Sequence, residues 1–462
     1  MASAPEKYDL VVVGGGKAGK SLAMLRAKMG DKVFMVERDK IGGTCINVAC
    51  IPTKTLVSSA RRLVEVRTAA SYGVDLPGAD LASARVDLQA LQARKESVVG
   101  GMVEAHKRMF AAPGLDFVLG TAKFVGPKTV EATLADGSVR VVEGERVLIN
   151  TGTTPAIPPI EGLGDVAYWT SEDALRLTEI PDRLVILGGG VIGVEMASMM
   201  AAFGANVTLI EGGEHILARE DADVAEEMAA NLAAQGVTVR TGERAMRVSS
   251  DGEGVVVHTT AGEVAGTRLL VALGRAPVTK GLGLEAAGVE LTERGFVKVD
   301  SRLETTAPGV YAAGDVAGTP QFTHASWNDF RVLRDLFAGK EASTEDRLIP
   351  WAVFATPELG RVGMSESEAR AAGRDIRVAK VAAAAVPRAK THGHVEGFYK
   401  VVVDAETEEI LGAAIVAESA SEVIAAVQTA MLGGLPWPKL RDAVIAHPTM
   451  AEGLNIVLDS LG

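Results

Sequence analysis

The 462 residues are 47% apolar and 23% charged, with a formal net charge of −12 and a pI near 5.3. That length implies two or three domains, the apolar share excludes general disorder, and the acidic balance argues against nucleic acid or an anionic membrane as the main partner, which leaves small molecules. Met1–Lys7 shows no basic segment running into an apolar core and no apolar run reaches membrane-spanning length, so a reducing, cytoplasmic setting is expected, where a disulfide serves catalysis rather than structure.

The first element reads as a strand, Tyr8–Val13, leading into Gly14-Gly15-Gly16-Lys17-Ala18-Gly19. A helical stretch follows, then a second strand, Lys32–Val36, that ends in Glu37. A lone G-x-G-x-x-G is weak evidence. Here it follows a β-branched run and is answered by an acid about 18 residues past its last glycine, close to what a dinucleotide fingerprint requires. The first glycine allows the tight turn, the second lets the backbone approach a pyrophosphate, and the third lets helix pack close to strand. The helix N-terminus attracts the phosphates, and Glu37 would accept hydrogen bonds from ribose hydroxyls.

Both cysteines of the chain lie in the next stretch, Gly42-Gly43-Thr44-Cys45-Ile46-Asn47-Val48-Ala49-Cys50-Ile51-Pro52-Thr53-Lys54. Such a pair is a redox-active dithiol, half of a metal site, or two buried apolar residues that happen to be near each other. In an ideal helix these positions would lie about 8.6 Å apart, beyond the ~4.4–6.8 Å a disulfide spans. The backbone must therefore bend between them for a disulfide to form. Gly42 and Gly43 permit an unusual entry, and Pro52 removes an amide donor from the turn that follows. Zinc would need two further ligands, and none stands nearby in sequence.

A second copy of the first pattern occupies Leu184–Leu187, Gly188-Gly189-Gly190-Val191-Ile192-Gly193, a helical stretch, and Asn206–Ile210 ending in Glu211. Two dinucleotide motifs in one chain suggest an electron donor and a bound flavin. The Glu211 carboxylate would repel a 2′-phosphate, and Arg219 is the one arginine close by in sequence, which favours NADH over NADPH. Met196 to Met200, behind this turn at helical spacing, reads as core packing. Val401–Asp404 and Ile410–Val416 read as paired strands.

With these motifs in order, the chain closely resembles the flavin-dependent pyridine nucleotide-disulfide oxidoreductases, the family of dihydrolipoamide dehydrogenase, glutathione reductase, mycothione reductase and mercuric reductase. Thr305–Asp315 resembles the family's second flavin segment, with Asp315 on the ribityl chain. Ile149–Pro155 and Val271–Pro277 resemble the strands that cross between flavin and nicotinamide domains, and His447-Pro448-Thr449-Met450-Ala451-Glu452 resembles the segment carrying the catalytic base. The resemblance implies an α/β fold of two Rossmann-like domains, for FAD and NAD, plus a C-terminal α+β dimerisation domain. Its implied boundaries are 1–150 for the FAD domain, continued by 273–348, then 151–272 for the NAD(P) domain and 349–462 for dimerisation.

The same resemblance implies the chemistry. NADH delivers hydride to one face of the flavin, and a Cys45–Cys50 disulfide is reduced on the other. Cys50 is the thiol beside the flavin, and Cys45 attacks substrate. His447 is the base, contributed by the partner subunit of a homodimer and oriented by Glu452. Lys54 and Glu195 pair near the flavin N5. Thr44, Lys54, Ala122, Thr151, Gly152, Asp315 and Gly274 join Gly14, Gly16, Gly19, Glu37, Gly188, Gly190, Gly193 and Glu211 as expected cofactor contacts.

Several departures bear on substrate. Val191 stands where many members carry a tyrosine over the nicotinamide pocket. No cysteine follows Cys50, so the C-terminal cysteine pair of mercuric reductases and the third redox group of large thioredoxin reductases are missing. Lys17-Ala18-Gly19-Lys20, Gln321-Phe322-Thr323-His324 and Met450–Asn455 resemble a bacterial mercuric-reductase-like branch that includes reactive-chlorine-resistance flavoproteins, for which copper(II) reduction is implied. His392 and His394 read as a solvated loop rather than metal ligands, and His324 as structural. His106, His215 and His258 carry no motif. The expected activity is reduction of a small disulfide, with a metal-ion reductase and a dihydrolipoamide dehydrogenase subunit of a 2-oxo-acid dehydrogenase complex as alternatives.

Overall fold

The computed structural model describes residues 4–250 and 252–462. The chain divides into two compact units, one from Met1–Thr55, Ala93–Ala156 and Arg275–Arg347, the other from Leu56–Gln92, Ile157–Gly274 and Leu348–Gly462. Among the described residues no helix is long and apolar enough to cross a membrane.

The first unit is built on β1 (Glu6–Val13), α1 (Lys17–Lys28) and β2 (Val33–Glu37). Its parallel sheet runs in the order Leu115–Gly126, β2, β1, Val139–Ile149, Val310–Ala312. Thr129–Leu134 pairs antiparallel with the outer parts of its two longest strands. Leu10 to Val13 are all buried, as expected of a parallel strand covered on both faces. Alternate residues feed separate clusters. Leu10, Val12, Val33 and Met35 meet Ala18, Leu22 and Ala23 of α1 on one face, while Val11, Val13, Phe34 and Val36 pack with Phe124, Val147 and Val310 on the other. Thr153–Pro155 pairs antiparallel with Arg275–Pro277 in a separate ribbon.

In the cysteine stretch, α2 (Thr44–Asn47) stops two residues before α3 (Cys50–Thr68) begins. Val48, at φ −143° and ψ 18°, takes the bend. A disulfide at this spacing requires such an interruption. Gly42 and Gly43, expected to permit an unusual entry, lie ahead of α2 at φ +92° and +80°, a region that costs a residue with a side chain, while Pro52 falls in the first turn of α3 rather than in a separate turn after the pair. Asn47 Nδ2 donates to the carbonyls of Ile41 and Gly43 and closes the loop.

The second unit contains a four-stranded parallel sheet, in the order Arg268–Val271, Arg183–Leu187, Asn206–Ile210, Thr238–Arg240. The Val191–Phe203 helix follows its glycine turn, and Met196, Met199 and Met200 lie in the core behind it. A three-stranded antiparallel sheet covers Ala245–Ser250, Val255–Thr259 and Gly262–Gly266. The five-stranded antiparallel sheet of the C-terminal third runs Trp351–Val353, Glu358–Gly363, Ile410–Ala417, Phe398–Asp404, Ile376–Ala382. Its Phe398–Asp404 and Ile410–Ala417 strands are buried throughout and pair as the sequence predicts. Helices Ala420–Leu432 and Gly453–Asp459 share a core with them.

Candidate active site

The two glycine turns have the same local geometry. Gly14 and Gly188 sit at φ +99° and +107°. The Gly15 N–H donates to Glu37 Oε2 and the Gly189 N–H to Glu211 Oε2, each at 2.7 Å, so each acid is pinned beside its turn. A Cβ on Gly19 would lie 2.6 Å from the Gly14 carbonyl oxygen, and one on Gly193 would strike that of Gly188. The third glycine thus permits close helix–strand approach in both copies.

The middle glycines differ. A side chain at Gly16 would meet Asn150 Oδ1 at 2.5 Å, whereas a Cβ on Gly190 would find nothing within 4 Å at an ordinary φ of −73°. Protein packing therefore accounts for Gly16 but not for Gly190. Open space over a helix N-terminus, with an acid fixed beside it, fits a pyridine nucleotide pyrophosphate and ribose.

Most of the residues expected to contact a flavin lie in the first unit, while Gly274 closes a segment of the second. Asn150, 5% exposed, accepts from the Gly19 N–H at 2.8 Å and donates to the Ala313 carbonyl at 2.6 Å, tying the first fingerprint to the Thr305–Asp315 segment. The Ser326 hydroxyl accepts from the Ala18 N–H. Asp329, fully buried, accepts from the Gly314 N–H and the Thr319 hydroxyl. Burial pushes the Asp315 carboxyl up, against the Thr153 hydroxyl that donates to it at 2.7 Å. Thr151 Oγ1 donates to the Val278 carbonyl, and Gly152 takes φ +68°. Ala122 lies on the Leu115–Gly126 strand, Gly274 just before Arg275–Pro277, Thr44 opens α2 and Lys54 is in the first turns of α3. A pinned acid, a phosphate-type turn and a half-buried carboxylate in one unit fit a hydroxyl-rich dinucleotide such as FAD.

Both cysteines are half-buried thiols. Cys50 is the first residue of the 19-residue α3, a helix end that favours thiolate, and its Sγ lies 3.3 Å from Thr323 Oγ1. The Cys45 thiol is pushed well up, first by the hydrogen bond it shares with Cys50 and then by burial, while Thr323 and Lys20 pull the other way. The pair therefore titrates as a unit. Thr323 and Lys20 were visible in sequence only as parts of short strings, and nothing in their spacing pointed to the sulfurs.

In the second unit, His447 Nδ1 lies 2.9 Å from Glu452 Oε1, and the other carboxylate oxygen accepts from the Thr449 N–H. These contacts, the imidazole first, hold the Glu452 carboxyl below its usual range. His447 is itself exposed. Glu195, 4% exposed, accepts from the Phe354 N–H. Lys54 belongs to the first unit and Glu195 to the second. Val191 packs against the apolar core of its unit.

One expectation gains an observation and another needs correction. Besides Arg219, near in sequence, two further arginines lie near Glu211 and Gly212: the Glu211 N–H donates to the Arg240 carbonyl, and a Cβ on Gly212 would meet the Arg244 side chain at 3.2 Å. Strand pairing brings these arginines close although they lie some thirty residues on. His392 is not a solvated loop residue. It ends the Pro387–His392 helix, half-buried, with Nδ1 2.7 Å from Glu418. His324 stacks on Phe322, His106 Nδ1 pairs with the Met102 carbonyl and His258 with Ser249 and Glu263. Among the described residues no three His, Cys, Asp or Glu side chains cluster to hold a metal.

Comparison with known proteins bears on this arrangement. Residues 8–329 match the family model of the pyridine nucleotide-disulphide oxidoreductases, and residues 349–457 match that family's dimerisation domain. The chain is 40% identical over 455 residues to the probable pyridine nucleotide-disulfide oxidoreductase RclA of Escherichia coli, covering 97% of this chain and 98% of that one. It is 37% identical over 464 residues to a dihydrolipoyl dehydrogenase of Thermus scotoductus, covering 98% and 97%. The solved Cu(II) complex of the HOCl-induced flavoprotein disulfide reductase RclA from Escherichia coli superposes with a TM-score of 0.91 at 38% identity, over 99% of this chain and 100% of that one.

Proposed function

The chain belongs to the pyridine nucleotide-disulphide oxidoreductase family of flavoprotein enzymes, and we propose that it takes electrons from NADH and delivers them through the Cys45–Cys50 pair to a small disulfide. The observation that carries this reading is the broken helix between the two cysteines, which brings both sulfurs against Thr323 in the unit that also holds the first fingerprint. Bound FAD, held by the Gly14–Gly19 turn, Glu37 and Asp315, would supply the two-electron link between nicotinamide and dithiol.

The remaining steps belong to the chain's own residues. The Cys45 thiolate attacks one sulfur of the substrate, a mixed disulfide forms, and the other substrate sulfur leaves as a thiolate. The Cys50 thiolate then attacks the Cys45 sulfur, which re-forms the internal disulfide and releases the second substrate thiolate. The partner subunit's His447 takes the Cys45 proton on Nε2 and returns it to the first leaving thiolate, with Glu452 on Nδ1 fixing the tautomer. Lys54 and Glu195 steady the hydride-transfer position. NADH is the proposed donor because the N–H groups of Gly189 and Gly213 fix the Glu211 carboxylate where it would accept from a ribose 2′-hydroxyl, a contact a 2′-phosphate could not make, although Arg244 lies beside Gly212.

Cys45→Ser tests the route. It should abolish disulfide turnover while leaving NADH-dependent reduction of artificial dyes; surviving disulfide turnover in this variant would show the mechanism to be wrong. A second reading, reduction of copper(II), is favoured by the Cu(II) complex of the structural relative. In that case oxidation of one dithiol to the disulfide would reduce two copper(II) ions to copper(I) and release two protons.

A further inference from the structure

The Glu220 carboxylate is held away from water in the second unit, its side chain 4% exposed. Its Oε1 accepts from Trp351 Nε1 at 3.0 Å and its Oε2 from Arg361 Nε at 3.1 Å. Arg361, 1% exposed, is itself fixed, with Nη1 donating to the Val362 and Gly363 carbonyls. The next residue is anchored as well: Asp221 accepts from the N–H groups of Glu366 and Ser367 and from the buried Lys400. A buried ion pair is a weak source of stability, because apolar side chains of similar volume often hold two segments together as well or better. Hydrogen-bonded charges do something apolar contact does not. They fix which way the chain at Glu220 points.

That stretch of backbone leads to the second glycine turn. The Glu220 N–H donates to the Leu217 carbonyl and the Leu217 N–H to the Gly189 carbonyl, each at 2.8 Å. The Gly189 N–H in turn donates to Glu211 Oε2 at 2.7 Å. An unbroken line of hydrogen bonds thus runs from Arg361 and Trp351 to the acid beside the turn. Leu217, in its middle, is buried at φ +50°, a left-handed backbone that is costly for leucine and persists only where its surroundings hold it. All of these residues lie in the second unit. Trp351 and Arg361 stand on the Trp351–Val353 and Glu358–Gly363 strands, inside the segment that matches the dimerisation domain.

We propose that Arg361, Trp351 and Glu220 are positioning residues for the pyridine nucleotide: from the C-terminal sheet they hold the Leu217 turn against Gly189, and so keep Glu211 aligned on the adenosine ribose. This rests on the reading of Glu211 as the acid that meets the ribose of NADH. The dimerisation segment thereby takes part in choosing the electron donor. Release of Glu220 frees the Leu217 turn, and the loss falls on the contact between Glu211 and a ribose 2′-hydroxyl, which NADPH does not offer. NADH affinity and selectivity fall, while hydride transfer from bound nucleotide is unchanged.

The test is steady-state reduction of ferricyanide by full-length, FAD-loaded enzyme with NADH and with NADPH, a readout that does not pass through the dithiol. Glu220→Gln and Trp351→Phe should raise the KM for NADH by about three- to tenfold, the worth of one net hydrogen bond, at unchanged kcat and with the KM for NADPH nearly as it was. Glu220→Gln leaves Arg361 without its buried carboxylate; should that variant not retain flavin, Trp351→Phe, which removes a single donor, reads the same ratio. Arg374→Met breaks the ion pair with Asp404 beside the same sheet but lies off this line, so it should keep both KM values whatever its melting temperature. A wild-type KM for NADH in the flavin-loaded Glu220 and Trp351 variants would overturn the role of these residues alone. A wild-type enzyme that takes NADPH as readily as NADH would overturn the reading of Glu211, and the proposal with it.

Discussion

Asn150 joins motifs that are more than a hundred residues apart in the chain. Its side chain satisfies the Gly19 N–H and the Ala313 carbonyl together, and both are buried. Asn150→Ala would leave two backbone groups unmet, at roughly 1–3 kcal/mol each. We expect a lower melting temperature and weaker flavin retention, read by thermal unfolding and released-flavin fluorescence; a variant that melts and holds flavin like wild type would contradict this role. In the sequence Asn150 was one letter in a crossover string, while the two cysteines were conspicuous because the chain has no others. Residues that act through long-range contacts, such as Asn150, Arg361, Thr323 and Arg244, carry no local signal. Their partners are fixed only once strands pair and α1 docks.

At the scale of elements, the two strand–turn–helix units were legible because glycine spacing and β-branched runs are themselves the physical requirement. The break between α2 and α3 was legible for a related reason: a disulfide and an uninterrupted helix are incompatible at this separation. Less visible were the Ala245–Gly266 antiparallel sheet and the buried ion pair of Arg361 with Glu220, since charge pairing across the chain leaves no periodicity. The turns also give an element-level prediction. Gly190→Ala meets no neighbour, so it should fold with an unchanged melting temperature yet raise the KM for NADH by obstructing pyrophosphate approach. Gly193→Ala, which collides with the Gly188 carbonyl, should lower the melting temperature. Equal KM for NADH in Gly190→Ala and wild type would remove the argument for that cradle.

At the scale of the whole molecule, the fold class and the C-terminal dimerisation domain were readable from the order of motifs, but each compact unit holds only part of the proposed machinery. Cys45 and Cys50 lie in the first unit and the His447–Glu452 pair in the second. If each active site takes its histidine from the partner subunit, two inactive variants should complement. Co-assembled in equal amounts, Cys45→Ser and His447→Ala chains would pair at random, half of the dimers being mixed and each mixed dimer having one intact site. Disulfide turnover should then recover to about a quarter of wild type, and no recovery would place His447 in the same subunit as its thiol or outside the mechanism. The central claim, that electrons leave through the dithiol to a small disulfide, is tested most directly by anaerobic steady-state NADH oxidation by wild-type enzyme against lipoamide, glutathione and mycothiol disulfides and copper(II). The account predicts turnover of one of these disulfides within the ordinary enzymatic range of ~1–10³ s⁻¹; inertness towards all three, with brisk reduction of copper(II), would contradict it.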